Sequence, residues 1–165
     1  MMKIAHLAER IQDYKVSIET VVEKKITWKT KTKYILRETL NEIVKMYDIG
    51  WRVQELNWIH SNEAVNITFD SFPPELIEKT NQIPAYQFIQ GGALVFSQSY
   101  SGDVLVFILF PSTVNHPDQQ DTIELGAYTP EQINEKMIVE AVDDFLKEMI
   151  KWDLPSLRDK VGFAS

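Results

Sequence analysis

The chain contains no cysteine, and that absence excludes disulfides, thiolate nucleophiles and cysteine-ligated zinc or iron-sulfur centres together. Long apolar runs are missing as well. The richest stretch, GGALVFSQSYSGDVLVFILFP over residues 91–111, is interrupted by SQSYSGD, whereas a membrane-spanning helix needs about 20 consecutive apolar residues. No export leader is expected, because Glu9, Arg10 and Asp13 fall where a signal peptide needs an unbroken apolar stretch. A cysteine-free chain without such a leader fits a cytoplasmic location.

Catalytic signatures are equally scarce. Gly91-Gly92 lacks the spacing of a phosphate loop or a dinucleotide fingerprint, and there is no GxSxG elbow and no HExxH pair. His6, His60 and His116 belong to three different predicted elements. His116 with Asp118 and Asp121 is the one local group with metal-ligating chemistry, and it lacks the additional ligands that would complete a site, so neither metal nor cofactor is expected. Glu124, Glu131 and Glu135 are explained by solvated strand and helix positions. The chain therefore reads as non-catalytic.

What is present is the composition of one globular domain: 165 residues, 44% hydrophobic and 25% charged. Net charge is −7, unevenly spread, because residues 1–50 carry ten Lys/Arg against seven Asp/Glu and the remainder seven against seventeen. So acidic a body disfavours nucleic acid and anionic membranes. The exception is KKITWKTKTK, where Lys24, Lys25, Lys29, Lys31 and Lys33 surround Trp28 and form a weak basic patch able to meet phosphate while the indole stacks on a base.

Ile4, Leu7, Ile11, Tyr14, Ile18 and Val21 recur at alternating spacings of three and four, predicting an amphipathic helix over 2–25. The stripe is also a short heptad pattern that ends at Lys25. Its brevity favours packing on this chain's own core over pairing with another helix. Ile26, Trp28, Thr30, Thr32 and Tyr34 alternate with polar residues, so 26–34 reads equally as a lysine-guarded edge strand or as a connection between helices. A second helix is expected over 33–47, with Leu36, Leu40, Ile43 and Tyr47 on one face and Gly50 as its stop.

From Trp51 the period shifts to two. Two strands are expected around Ser61 and Asn62, with a bulge near Gln54 or Glu55 to reconcile Trp51 and Val53 with Leu56 and Trp58. A short connector helix follows over 74–79, then extended chain over 86–90. A two-residue turn at Ser101-Gly102 would pair Phe96 with Phe107 and Leu94 with Leu109. VLVFILF, apolar on both faces, reads as the central strand, sheltered above and below. TIELGAY supplies a further strand, and Thr129, Pro130 and Gln132 form a capping-box start for a helix running to Trp152, which Pro155 terminates.

The expected fold is α+β: an antiparallel, meander-like sheet of about five to six strands with two N-terminal helices and a long C-terminal helix packed on it. As one domain over 1–165, it divides into a mainly helical part (1–50), the sheet (51–128), the C-terminal helix (129–152) and a tail (153–165). Two functions suit such a chain. The favoured one is a non-catalytic interaction domain of adaptor, immunity-type or chaperone-like character that takes a protein partner, first of all a second copy of itself. The competing one is an apolar small-molecule site inside a curled sheet, walled by Trp51, Trp58, Tyr86, Phe88, Phe96 and Phe107. Trp51, Trp58, Phe96, Phe107, Ile108 and Phe110 are the candidate interaction or cavity surface.

Overall fold

The computed structural model describes residues 2–57, 62–84, 91–111 and 122–151. A helical N-terminal half comprises α1 (Met2–Ala5), α2 (Leu7–Thr27), a π segment (Trp28–Thr32) and α3 (Lys33–Met46), running into one another without a break after α2 begins. Strands β1 (Trp51–Asn57), β2 (Glu63–Phe69), β3 (Ala93–Gln98), β4 (Val104–Leu109) and β5 (Thr122–Tyr128) form one antiparallel sheet in sequential order. Between β2 and β3 lie a 3-10 turn (Pro74–Leu76) and α4 (Ile77–Thr80), close to the expected connector. The final helix, α5 (Glu135–Lys151), lies with α3 across one sheet face. The architecture is the α+β meander expected from the period changes.

The core forms where α3 and α5 press their apolar faces onto Val65, Ile67, Leu94, Phe96, Val104, Val106 and Ile108. Leu36 and Leu40 from α3, and Ile138, Ala141, Val142 and Phe145 from α5, complete it. Aromatic contacts tie the layers: Trp51 stacks on Phe69 at 5.5 Å, and Phe69 meets Phe145 at 5.6 Å. Such pairs add about 0.5–1.5 kcal/mol each beyond area burial.

Residues 26–34 are helical, so the strand reading is wrong, and the connection between helices is itself helix. Threonine explains why alternation misled: Thr27 and Thr30 return their hydroxyls to the carbonyls of Glu23 and Ile26 at 3.0 and 2.8 Å, satisfying β-branched side chains inside a helix. Trp28, Thr32, Leu36 and Leu40, all buried, are spaced by four. In a 3.6-residue helix that spacing drifts around the axis, and the wider i→i+5 turn, seen where the Lys33 N–H donates to the Trp28 carbonyl, takes up part of the drift.

The first strand pair needs no bulge. β1 and β2 stay in continuous register from Trp51 opposite Phe69 to Asn57 opposite Glu63. The two apolar phases in β1 serve two faces: Trp51 and Val53 join the helix-side core, while Leu56 packs with Ala64, Ala93 and Val95 on the other side. The irregularity lies instead between β4 and β5, where Val106 pairs with Gly126 but Phe107 pairs with Glu124, leaving Leu125 as the extra residue.

The β3–β4 hairpin is shifted by one residue from the expected register: Phe96 faces Val106 and Leu94 faces Ile108. Its loop closes with the Ser99 N–H on the Asp103 carbonyl (2.8 Å) and the Gly102 N–H on the Ser99 carbonyl (3.0 Å). Gly102, at φ +92°, supplies the left-handed residue that a three-residue loop requires. A slip of one exchanges the faces. Val104, Val106, Ile108 and Phe110 thus point under the helices, and Leu105, Phe107 and Leu109 point away. The central strand is β3, not β4. The shelter expected over both sides of VLVFILF is complete only on the helix side; opposite it Val95 is buried, but Leu105, paired with Ala127 of the edge strand β5, is exposed.

The capping box at Thr129 is present, with the Thr129 N–H donating to Gln132 Oε1 at 2.9 Å, but it caps a 3-10 turn (Pro130–Gln132). Ile133 then adopts an extended conformation and is buried, and Asn134 Oδ1 accepts from the Met137 N–H at 2.9 Å to open α5. The long helix starts later than its first cap signal.

Gly50 joins α3 to the sheet at φ +92°, where an added Cβ would collide with the backbone carbonyl of Ser71, and its own carbonyl accepts from the Asp70 and Ser71 N–H groups, both at 3.0 Å. Left-handed backbone alone costs a non-glycine residue about 1–2 kcal/mol. Gly50→Ala is therefore expected to lower unfolding stability by at least about 2 kcal/mol in urea titrations; a loss under half of that would show that the 50–71 junction relaxes freely.

Candidate interaction surface

Every residue from Lys3 to Thr20 is exposed. The sequence expectation that the first stripe packs on the body is thereby overturned. Leu7, Ile11 and Tyr14 are 52, 51 and 66% exposed, and Ile4 and Ile18 are open with them. The body ends too early to cover them: α2 first meets it at Val21 and Lys24, against which the hairpin tip at Gly102 is seated. Lys24 forms a 2.9 Å ion pair with Asp103 Oδ1, off the line of a hydrogen bond, and Lys25 Nζ reaches the Ser99 carbonyl at 3.5 Å.

In heptad terms Ile4, Ile11, Ile18 and Lys25 occupy one seam position, and Leu7, Tyr14, Val21 and Trp28 the other. The free stripe and the anchored part of the helix are thus successive stretches of one seam. Lys25, which breaks the apolar series, meets the polar hairpin tip alongside Lys24. Lys3, Arg10 and Lys15 flank the free stripe, while Glu9, Asp13, Glu19 and Glu23 lie toward the opposite side.

Trp28 fixes the helix to the sheet. Its indole is 1% exposed, and Nε1–H donates to Glu63 Oε1 at 3.0 Å; Lys33 Nζ donates to Glu63 Oε2 at 2.8 Å. Thr32 Oγ1–H donates to the Pro130 carbonyl at 2.8 Å, in the interior. The Lys33 bond holds the Glu63 carboxyl below the ordinary glutamate range against the opposing effect of partial burial, helped by Trp28 and by the charges of Lys33 and Lys29. A depressed carboxylate contributes stability that is present above its unfolded pKa of about 4.3 and is lost as pH falls through the folded value. Glu63→Ala, which orphans the buried indole N–H, is expected to cost about 1–3 kcal/mol at pH 7. Glu63→Gln should show a weaker loss of stability than wild type as pH drops below about 4.3, and identical acid profiles would remove Glu63 from this role.

The basic patch does not assemble into one binding face. Lys24, Lys25 and Lys33 reach Asp103, Ser99 and Glu63, leaving Lys29 and Lys31 exposed with no ion pair among the described residues. Trp51, Phe96, Ile108 and Phe110, chosen from the sequence as interaction or cavity surface, are buried in the core and offer nothing to a partner. Phe107 is half-buried on the opposite sheet face. Trp58, Tyr86, Phe88, His60 and the His116, Asp118 and Asp121 group lie outside the described residues. An open cleft of about 640 Å3 between α3 and the start of α5, bordered by Tyr34, Glu38, Glu42 and Asn134, includes none of the candidate wall residues. Among the described residues no group of acidic and histidine side chains is arranged to hold a metal, and no helix is long and apolar enough to cross a membrane. Glu63, the Asp103–Lys24 pair and Asn134 were not singled out by sequence reasoning, and only the four-residue spacing from Trp28 to Leu40 signalled the continuous helix.

No family model, curated protein or solved structure matches the chain.

Proposed function

We propose that this chain is a non-catalytic protein-interaction domain that associates with itself through the apolar stripe of α1 and α2. The observation that carries the reading is the run of exposed residues from Lys3 to Thr20 bearing Ile4, Leu7, Ile11, Tyr14 and Ile18 on one side. A helix draws most of its stability from burying an amphipathic face, and isolated helices shorter than about 12–15 residues are marginal in water. Without cover this segment has neither packing nor a purpose for its pattern, whereas a second helix with the same pattern supplies both. Regular three-and-four spacing favours a helix as the occupant over an irregular loop.

Light scattering on a sizing column at about 100 µM is the test, since association is driven by concentration. The expected mass is about 38 kDa, twice the 19.1 kDa of one chain. A peak at 19.1 kDa would remove the reading.

A further inference from the structure

We propose that the two copies pair with their N-terminal helices antiparallel, so that the two bodies stand at opposite ends of the shared seam. This rests on the self-association just proposed and adds the geometry of the partner. Three features of the stripe distinguish the orientations.

The first is flanking charge. In a parallel heptad pair, each residue before the first seam position faces the residue after the second one in the following heptad of the other helix. Arg10 would then face Lys15 of the second copy, a contact that occurs twice. Reversing one helix places Arg10 beside Ser17 of the second copy and Lys15 beside its Ala8, with no like charges opposed. The one basic pair that reversal creates, Lys3 beside Lys24 of the second copy, is offset by the Asp103 carboxylate already 2.9 Å from Lys24.

The second is the fit of the seam. Antiparallel pairing sets Ile4 against Val21 of the second copy, Leu7 against its Ile18 and Ile11 against its Tyr14, three mixed layers that a twofold axis repeats. Parallel pairing instead opposes Tyr14 to Tyr14 and brings two phenol hydroxyls together in the seam. Mixed layers alternate large with small side chains, and that favours interdigitation.

The third is the bodies. Residues 51–165 carry seven basic against seventeen acidic side chains. Each body is clasped to its helix at Val21 to Lys25, so a parallel pair would bring both acidic bodies to the same end. An antiparallel pair separates the clasps by at least about 26 Å of helix at about 1.5 Å per residue. That exceeds two Debye lengths of about 8 Å at physiological ionic strength. Two copies of the body are then presented outward at a fixed spacing, as a bivalent unit.

The absence of cysteine makes the test clean. Leu7→Cys and Ile18→Cys are prepared separately in the full chain and oxidised mildly, alone and after the two are mixed and re-equilibrated. Antiparallel pairing gives a covalent dimer from the mixture and none from either variant alone. Covalent dimer from Leu7→Cys alone, or none from the mixture, overturns the antiparallel arrangement while light scattering still reports a dimer. A monomer by light scattering overturns self-association itself, and the orientation falls with it.

Discussion

Trp28→Ala is expected to destabilise the fold by about 3–5 kcal/mol, the cost of removing a buried aromatic side chain. With total stability of single domains at about 5–15 kcal/mol, that is roughly a fifth of the stability or more. Trp28 is nearly solvent-free among the core residues, and its indole N–H is bonded to Glu63, which Lys33 also holds. Its loss opens a cavity at the point where the long helix is joined to β2, and it frees one Glu63 oxygen. Trp28→Phe keeps most of the volume and loses the bond, so it should cost about 1–3 kcal/mol. Urea unfolding followed by far-UV circular dichroism measures both. A loss below about 1 kcal/mol for the alanine variant would mean that the helix is not anchored here.

The double variant Leu7→Glu/Ile11→Glu should keep the body folded, with the unfolding midpoint of the wild-type chain diluted to monomer, and abolish the dimer. Neither side chain touches the body, because both lie in the exposed run that precedes Val21. In a dimer each substitution occurs twice, so four apolar side chains worth about 1.5–3 kcal/mol each are withdrawn from the seam. Association should weaken by a factor on the order of ten thousand or more. Sedimentation or light scattering across a dilution series measures it. A variant that still dimerises would locate the contact elsewhere, and one that unfolds would show that the stripe belongs to the body after all.

The contrast between these variants, one inside the fold and one outside it, reflects what an apolar stripe encodes. Ile4 to Val21 at spacings of three and four states that one side of a helix must be covered, but the spacing is the same whether the cover is this chain's sheet or another molecule's helix. Shortness of the pattern argued for the sheet, and the structure shows otherwise, since the body first reaches α2 at Val21 and Lys24. For α3 and α5 the same kind of stripe was read correctly along most of its length, with Leu36, Leu40, Ile138, Val142 and Phe145 all buried because those helices lie over the sheet, whereas Tyr47, which falls just past the end of α3, and Ile150, in the last turn of α5, are exposed. The change of period at Trp51 was enough to place the meander.

Finer features failed for local reasons. Thr27 and Thr30 imitate strand residues by composition, yet their hydroxyls bond the preceding helical turn. The hairpin register depends on whether Gly102 closes a loop of two or three residues, and with apolar residues on both faces the pattern of VLVFILF cannot distinguish them. Trp51, Phe96 and Phe110 drew attention as large aromatics, and they serve the interior, where such residues contribute most. The exposed stripe of α1 and α2, which calls for an occupant, was legible as a pattern and misassigned in depth.

Amide hydrogen exchange over residues 7–20, compared between the wild-type chain and Leu7→Glu/Ile11→Glu at about 100 µM, addresses the central claim most directly. The expected result is protection of that segment in the wild type and its loss in the variant, with β3 and α3 equally protected in both. Equal exchange of residues 7–20 in the two proteins would contradict it, for the helix would then gain nothing from a second copy.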